Sequence, residues 1–439
     1  MPALVDVVAV ALQVAKFTIL TAGSRGDVQP YLALGVGLSA RGHAVKVAAF
    51  PGYESMAERL GLEFAPVRNP SEILNQREDL VRLKERAHNS ITNLRYMISA
   101  LLASGGDGFR ASHRDYLAAC RGTDCVISGW STFGGPLIAR TLEARHVWAL
   151  LHPLSRTGTR PHFLLPFSLG KWGNLMSHVV ADWIYRVGFE PATRELRAAL
   201  RGSGRRAKDV ALSRAGGLVL LGYSPSLVPT PADAPRSHRV TGFWFLDQWV
   251  DDEPDAAIRD FLAEPPAPAY VTLPLENDQT EARLLDACST LGRTLGQRFL
   301  VRVRDQRVER ISPHVLTCGT MSHSWLLPRV AMVVHHGGAG TTAAVLRAGK
   351  VSVVLPGSFD QPYWGRRLLE SDLAPAPLQH SALNADTLGS ALQRAVEPAR
   401  LASALRIGDL IERERGVHAA CLELERAVGT DRGDERAVA

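Results

Sequence analysis

Two short runs in the second half of the chain have the residue types to hold a sugar joined to a diphosphate. The first is His336 followed by Gly337, Gly338, Ala339, Gly340 and Thr341. It comes after a short apolar run, 332–335, that reads as a strand, and before 341–348, which can be helical and which Gly349 stops. A turn so placed leaves backbone N–H groups unpaired and aimed at one spot. The helix dipole there favours an anion by ~0.3–1 kcal/mol. Glycines let the backbone approach a phosphate closely, and His336 adds a side-chain donor at the same place. The second run, Asp360-Gln361, follows the next apolar strand, 351–355, so it leaves the same rim of the sheet with groups suited to sugar hydroxyls. A third run, Gly23-Ser24-Arg25-Gly26-Asp27, follows the apolar segment 17–21. Read by itself, Asp27 is first of all a helix N-cap, a role that coexists with a catalytic one.

These runs need a scaffold, and the chain supplies two series of alternating strands and helices. The first has strands at 17–21, 44–50, 125–128 and 147–151, with a Gly-containing helix marked by Leu32, Leu34, Val36 and Leu38 and ended by Gly42. The second has strands at 270–273, 299–303, 332–335 and 351–355, with helices at 280–296 and 341–348. Between them, 229–268 is rich in Pro and Asp and reads as a linker. Such a pattern implies two doubly wound α/β domains facing each other. The expected division is a first domain over 1–235, a linker over 236–268, a second domain over 269–400, and a final helix within 401–439 ending in a polar tail. No short-period repeat is visible.

Composition narrows the class. The chain has 439 residues, 46% hydrophobic and 21% charged, with a formal net charge of +6; it is globular, with room for two or three domains. Its basic residues are mostly Arg and dispersed, with no basic helix interleaved with aromatics and no zinc-ligand spacing, which argues against nucleic acid. The mild positive charge suits an anionic ligand. Five cysteines without a CxxC pair read as reduced thiols. No segment has eighteen uninterrupted apolar residues, and residues 1–15 lack the positive leading region of a signal peptide. The expected location is cytoplasmic. Neither glycine loop fits GxGxxG with an acidic residue at the next strand end, which excludes a dehydrogenase.

Taken together, GSRGDVQP near the amino end and HHGGAGTT with the later DQ resemble family 1 nucleotide-sugar glycosyltransferases, in the branch of bacterial antibiotic and sterol enzymes of macrolide and glycopeptide type. The resemblance covers 16–425 and is strong at 20–35 and 321–364. It implies a GT-B fold, two doubly wound Rossmann-like domains facing across a cleft, whose final helix crosses back to the first domain. It makes Asp27 the base for the acceptor hydroxyl. Ser24 and Arg25 fall near the transferred sugar and its phosphates. His336, Gly338, Gly340 and Thr341 hold the diphosphate, Asp360 and Gln361 the sugar, and Cys318 and Gly319 the nucleobase, mostly by backbone. Trp325 reads as core before base stacking.

The segment 152–190 is the least regular part of the first domain. It resembles the region after the acceptor loop in sterol-type members, and it offers His152, Phe163 and Trp172 as acceptor contacts. Core packing of a helix over 172–187 explains such aromatics equally well. One departure from the family stands out: the strand 270–273 runs into Pro274-Leu275-Glu276 where Gly-Ser is usual. Pro274 has no backbone N–H to offer a phosphate, and Glu276 adds a negative charge.

The implied activity is inverting, metal-independent transfer from a UDP- or TDP-sugar to a hydroxyl of a small hydrophobic acceptor, such as a natural product, a sterol or a glycolipid. The donor is a co-substrate and no cofactor is called for. A lipophilic acceptor opens the way to peripheral membrane contact, and a homodimer stays open. Two other readings remain: a catalytically degenerate glycosyltransferase-like partner or binding protein, and a nucleotide-sugar epimerase.

Overall fold

The computed structural model describes residues 14–69, 92, 95–96, 99, 107–165, 167–202, 217–247, 254–275 and 277–429. The first sheet is built from β1 (Lys16–Leu20), β2 (Ala44–Ala49), β3 (Glu63–Pro66), β4 (Cys125–Ser128), β5 (Arg145–Leu150), β6 (Val219–Leu221) and β7 (His238–Val240). Its helices are α1 (Arg25–Ala40), α2 (Glu54–Arg59), α3 (Asp107–Ala119), α4 (Gly135–Thr141) and α5 (Gly170–Gly202). The second sheet contains β8 (Ala269–Thr272), β9 (Phe299–Arg302), β10 (Arg310–Ser312), β11 (Val315–Cys318), β12 (Met332–His335) and β13 (Val351–Val354). Around it lie α6 (Ala256–Ala263), α7 (Asp278–Leu295), α8 (His323–Leu326), α9 (Ala339–Arg347), α10 (Gln361–Glu370) and α11 (Ala385–Ala395). The chain then ends on α12 (Pro398–Glu414) and α13 (Gly416–Val428).

The strand orders are β3-β2-β1-β4-β5-β6-β7 and β10-β11-β9-β8-β12-β13. Every pairing is parallel except β10 with β11. Central strands such as β8 and β12 are buried along their whole length, as sheets covered on both faces require. Each sheet reverses its winding once, between β1 and β4 in the first (Leu20 beside Ser128) and between β8 and β12 in the second (Thr272 beside His335). Ligands of doubly wound sheets sit outside the carboxyl ends of the strands at such a point. The run Gly23–Asp27 leaves β1, and His336–Gly340 leaves β12. Both chemically suggestive runs therefore lie where the topology opens a crevice.

Two boundaries differ from expectation. The segment 236–268 is not only a linker, because it contains β7 and α6. A three-residue strand between Pro235 and Gly242 carries no periodicity, and the surrounding Pro and Asp dominate its composition. The single final helix expected within 401–439 is two. Arg415 adopts a left-handed φ of 47° between α12 and α13, and the kink turns the chain toward the first domain. There Arg41 and His43 grip the fully buried Glu425, with Arg41 Nη2 at 2.6 Å and His43 Nε2 at 2.9 Å. Burial works against the Glu425 charge, but these two partners outweigh it and hold the carboxyl below its usual range. Further contacts join the domains: Arg366 donates to the Leu165 carbonyl at 3.2 Å and Arg367 to that of Leu227 at 2.7 Å. All five cysteines are buried and free, in line with reduced thiols.

Candidate active site

The loop after β1 is shaped by its side chains. Gly23 has φ of 130°, and a Cβ there would lie 2.5 Å from Asp27 Oδ2, so only glycine lets the carboxylate fold back over the turn. Tyr53 Oη donates to the Gly23 carbonyl at 3.1 Å and Ser131 Oγ to that of Ala22 at 2.9 Å, which fixes the loop from both sides. Ser24, not Asp27, is the N-cap of α1. Asp27 is the third helical residue, and its Oδ2 accepts from Ser24 N at 2.8 Å and from Ser24 Oγ at 2.9 Å. The N-cap role expected for Asp27 thus shifts by three residues, because an acidic side chain one turn in can reach back to the cap. Neither bond uses Oδ1. Burial drives the Asp27 pKa up, and the Ser24 bonds offset this only in part. Arg25 bonds Gln29 on the next turn at 3.2 Å.

Alternation at the end of β12 separates its last residue, His335, from His336 just beyond it. His335 points into the core, where Nε2 meets Ser352 Oγ at 3.0 Å and Nδ1 accepts the Gly337 N–H at 3.1 Å. Burial lowers its pKa to about 3, so it is a neutral brace for the glycine turn. This role was legible in the strand period but is not signalled by the motif. His336 emerges on the other side and lies over Gly338, where a Cβ would come within 2.5 Å of its Nε2. Its ring bonds the backbone of Thr272, yet burial prevails and lowers its pKa. A neutral ring that spends its proton on Thr272 has a bare nitrogen left. Donation to a phosphate then calls for a second proton, which the anion itself favours.

Helix α9 starts at Ala339, and its N-terminus faces that of α1. A Cβ on Gly340 would sit 3.6 Å from Gly26 Cα. The two glycine runs, more than three hundred residues apart, meet across the cleft. Asp360 closes the same space. Its Oδ2 accepts from Ala339 N at 3.2 Å, from Trp364 Nε1 at 2.8 Å and from His152 Nε2 at 3.1 Å, while Oδ1 takes none of these bonds. Gln361 Oε1 accepts from Gly357 N at 2.8 Å. His152 and Asp360 are 17% and 14% exposed, so water screens their attraction weakly. Burial alone would depress His152 and raise Asp360. Their mutual bond reverses both, and His152 is held above its ordinary range and Asp360 below. Asp27 adds to the field that favours a proton on His152. The structure therefore brings Asp27, His152 and Asp360 into one electrostatic cluster spanning both domains.

Phe163 is buried, stacks behind His152 with centroids 5.4 Å apart, and meets Tyr363 edge-on at 6.4 Å; it backs the cluster. Trp172 is 74% exposed on α5, and no ring contact among the described residues joins it to His152 or Phe163. The Cys318 thiol is packed in the core and pushed up to about 12 by burial. Its carbonyl accepts the Val303 N–H at 3.0 Å. What stays open there is backbone around the partly exposed Gly319. Trp325 packs on the core with the Arg329 guanidinium 4.6 Å over its ring. Thr341 is partly exposed in the first turn of α9. Pro274 is exposed just past β8, and Glu276 lies outside the described residues.

Comparison with known proteins shows what the chain as a whole is similar to. Residues 297–409 match the erythromycin biosynthesis protein CIII-like C-terminal domain, and residues 17–103 the glycosyltransferase family 28 N-terminal domain. The chain is 30% identical over 430 residues to O-mycaminosyltylonolide 6-deoxyallosyltransferase of Streptomyces fradiae, covering 93% of this chain and 97% of the relative. It is 28% identical over 428 residues to sterol 3-beta-glucosyltransferase of Debaryomyces hansenii, with 92% of this chain aligned to only 26% of that longer protein. The solved structure of the glycosyltransferase VinC, in complex with DTDP, superposes with a TM-score of 0.64 at 19% identity, covering 94% of this chain and 99% of VinC.

Proposed function

This chain belongs to the family 1 glycosyltransferases of the antibiotic and sterol type, and from that membership we propose that it moves a sugar from a nucleoside diphosphate to a hydroxyl of a small hydrophobic acceptor, with inversion and without a metal. The observation that carries the reading is the meeting of two helix N-termini across the cleft, Gly26 against Gly340, with Asp27 on one side and the glycine turn on the other. The thymidine diphosphate in VinC supports TDP as the first donor to try; UDP is the alternative.

The acceptor hydroxyl approaches Asp27 Oδ1, the carboxylate oxygen that Ser24 leaves uncommitted. Asp27 takes its proton as the oxygen bonds to the anomeric carbon, a form of assistance that gives ~10²–10⁴-fold. The burial that raises the Asp27 pKa makes it a stronger base than an exposed aspartate. The bond from the anomeric carbon to the donor phosphate oxygen breaks on the opposite face. Negative charge grows on the departing diphosphate, where the N–H groups of Gly340 and Thr341, the α9 dipole and a protonated His336 stabilise it. Asp360 Oδ1 and Gln361 hold the sugar hydroxyls, and His152 keeps Asp360 ionised and oriented. In this scheme the helix terminus and His336 do what a cation would otherwise do.

Incubating the protein with TDP- and UDP-sugars and a panel of macrolide aglycones, aromatic polyketides and sterols tests the proposal, with products read by mass spectrometry and their anomeric configuration by NMR. A glycoside of inverted configuration supports it. Retained configuration refutes the single displacement. Because Pro274 removes one backbone donor beside the turn, a second reading is a degenerate partner protein; it predicts a folded protein that gives no glycoside and no donor hydrolysis with any pair.

A further inference from the structure

Over 172–187 helix α5 buries polar side chains and exposes apolar ones, while its later turns pack Phe189, Ala192 and Leu196 inward. On its inner face, Asn174 Nδ2 donates to the Gly158 carbonyl at 3.1 Å and His178 Nε2 meets the Arg160 carbonyl at 3.2 Å. Both side chains are buried. On its outer face Trp172, Met176, Val179, Val180, Trp183 and Val187 are 74%, 53%, 37%, 47%, 61% and 44% exposed. At 100° per residue these six fall within an arc of about 100°, and at 1.5 Å per residue the stripe is roughly 22 Å long. This is the reverse of an ordinary surface helix, and an apolar patch of that size on a water-soluble domain marks a binding surface.

The chemistry along the stripe selects the occupant. A tryptophan stands near each end, where an amphipathic ring suits the boundary between headgroups and acyl chains. Lys171 and Arg186 flank the stripe, both exposed, and Lys171 Nζ lies 5.8 Å over the Trp172 ring. The one carboxylate in 167–189 is Asp182, which is 17% exposed and paired with Arg156 at 2.7 Å. The exposed surface of this segment thus offers cations and apolar groups, and the next carboxylate, Glu190, half exposed three residues past Val187, is paired with Arg197 at 3.3 Å. A protein partner would be matched by a rim of mixed polar groups. Among the described residues no helix is long and apolar enough to cross a membrane, so contact with lipid would be along the surface.

We propose that the outer face of α5 docks on an anionic lipid bilayer, with Trp172, Met176, Val180 and Trp183 entering the headgroup boundary and Lys171 and Arg186 meeting lipid phosphates. The inner face of the same helix packs on the loop 157–163, which leads to Phe163 and His152. Docking therefore sets the first-domain side of the cleft against lipid, where hydrophobic molecules concentrate. The docking does not depend on the transfer reaction, and its test does not measure transfer.

The test is flotation of the full chain with vesicles of phosphatidylcholine alone or with three parts in ten phosphatidylglycerol. Two basic residues near an anionic surface favour the charged vesicles by roughly 30-fold in partition. That preference should shrink at high salt, and the tryptophan emission should shift to the blue. The double variant Trp172→Ser, Trp183→Ser should lose flotation while keeping its circular dichroism. Lys171→Glu with Arg186→Glu, a pair of changes at exposed positions, should erase the preference for anionic lipid and serves if the first variant misfolds. The proposal is overturned if the wild type floats with neither vesicle, or if the variants float as well as the wild type. It is equally overturned if the wild type is a dimer by sedimentation that the tryptophan variant converts to a monomer, since the stripe is then a protein contact.

Discussion

Replacing Asp27 with asparagine separates catalysis from folding in a way few substitutions can. Burial holds the Asp27 carboxyl above its ordinary pKa of 3.8. For an acid this sign means that the proton is bound more tightly in the folded state, so stability falls as pH rises through the interval between the unfolded and folded values. At neutral pH the ionised carboxylate is therefore a net cost to the fold. Asparagine removes the charge but keeps an oxygen that can accept from Ser24 N and Oγ, now at 2.8 and 2.9 Å. The melting temperature should stay level or rise slightly, less whatever the α1 dipole gained from the charge, ~0.3–1 kcal/mol. Turnover should nevertheless fall by ~10²–10⁴-fold, equivalent to about 2.7–5.4 kcal/mol of barrier, because the amide cannot take the acceptor proton. The assay is initial-rate transfer with donor and acceptor varied, alongside thermal unfolding and nucleotide titration on the same sample. A variant with near wild-type turnover, or one whose activity falls only as far as its folded fraction, would refute the assignment of Asp27 as base.

Other consequences are open to the same methods. Ser24→Ala removes one of the bonds that hold the Asp27 pKa down, so the acidic limb of the rate profile should move to higher pH; an unmoved limb contradicts the link. His152→Ala takes away the cation shared by Asp27 and Asp360, and it should likewise carry the acidic limb upward and lower kcat/KM by about 10-fold or more, the worth of one charge-assisted hydrogen bond. Conversion of the buried Glu425 to Ala leaves Arg41 and His43 facing an empty site and should cost about 3–5 kcal/mol in denaturant unfolding. Because the Glu425 pKa is depressed, the stability it contributes is present above the ordinary carboxylate range and is lost as pH falls through its folded value.

How much of this could be read in advance depended on the distance over which each feature is encoded. Strands such as Cys125–Ser128 and Met332–His335 are continuous apolar runs, and the sequence expectation matches them residue for residue. The glycine turns are equally local, since strand, turn and helix start lie within a few residues. The link between His152 and Asp360 spans 208 positions, and neither residue's neighbours point to the other, so sequence alone groups His152 with the acceptor contacts. Strands β6 and β7 are three residues each, too short to show a period. The break at Arg415 rests on a left-handed arginine, for which no residue type gives warning. Trp172 reads as a pocket aromatic because sequence alone does not say which side of a helix meets solvent.

Calorimetric titration of TDP and UDP into the wild type and His336→Ala addresses the central claim most directly. The turn at Gly337–Gly340 should bind one of the nucleotides, more tightly as pH falls and His336 gains its second proton. His336→Ala should weaken that binding by roughly 10- to 150-fold, the equivalent of one charge-assisted hydrogen bond at ~1.5–3 kcal/mol. Absence of nucleotide binding by the wild type, or equal affinity in the variant, would contradict the account of the site.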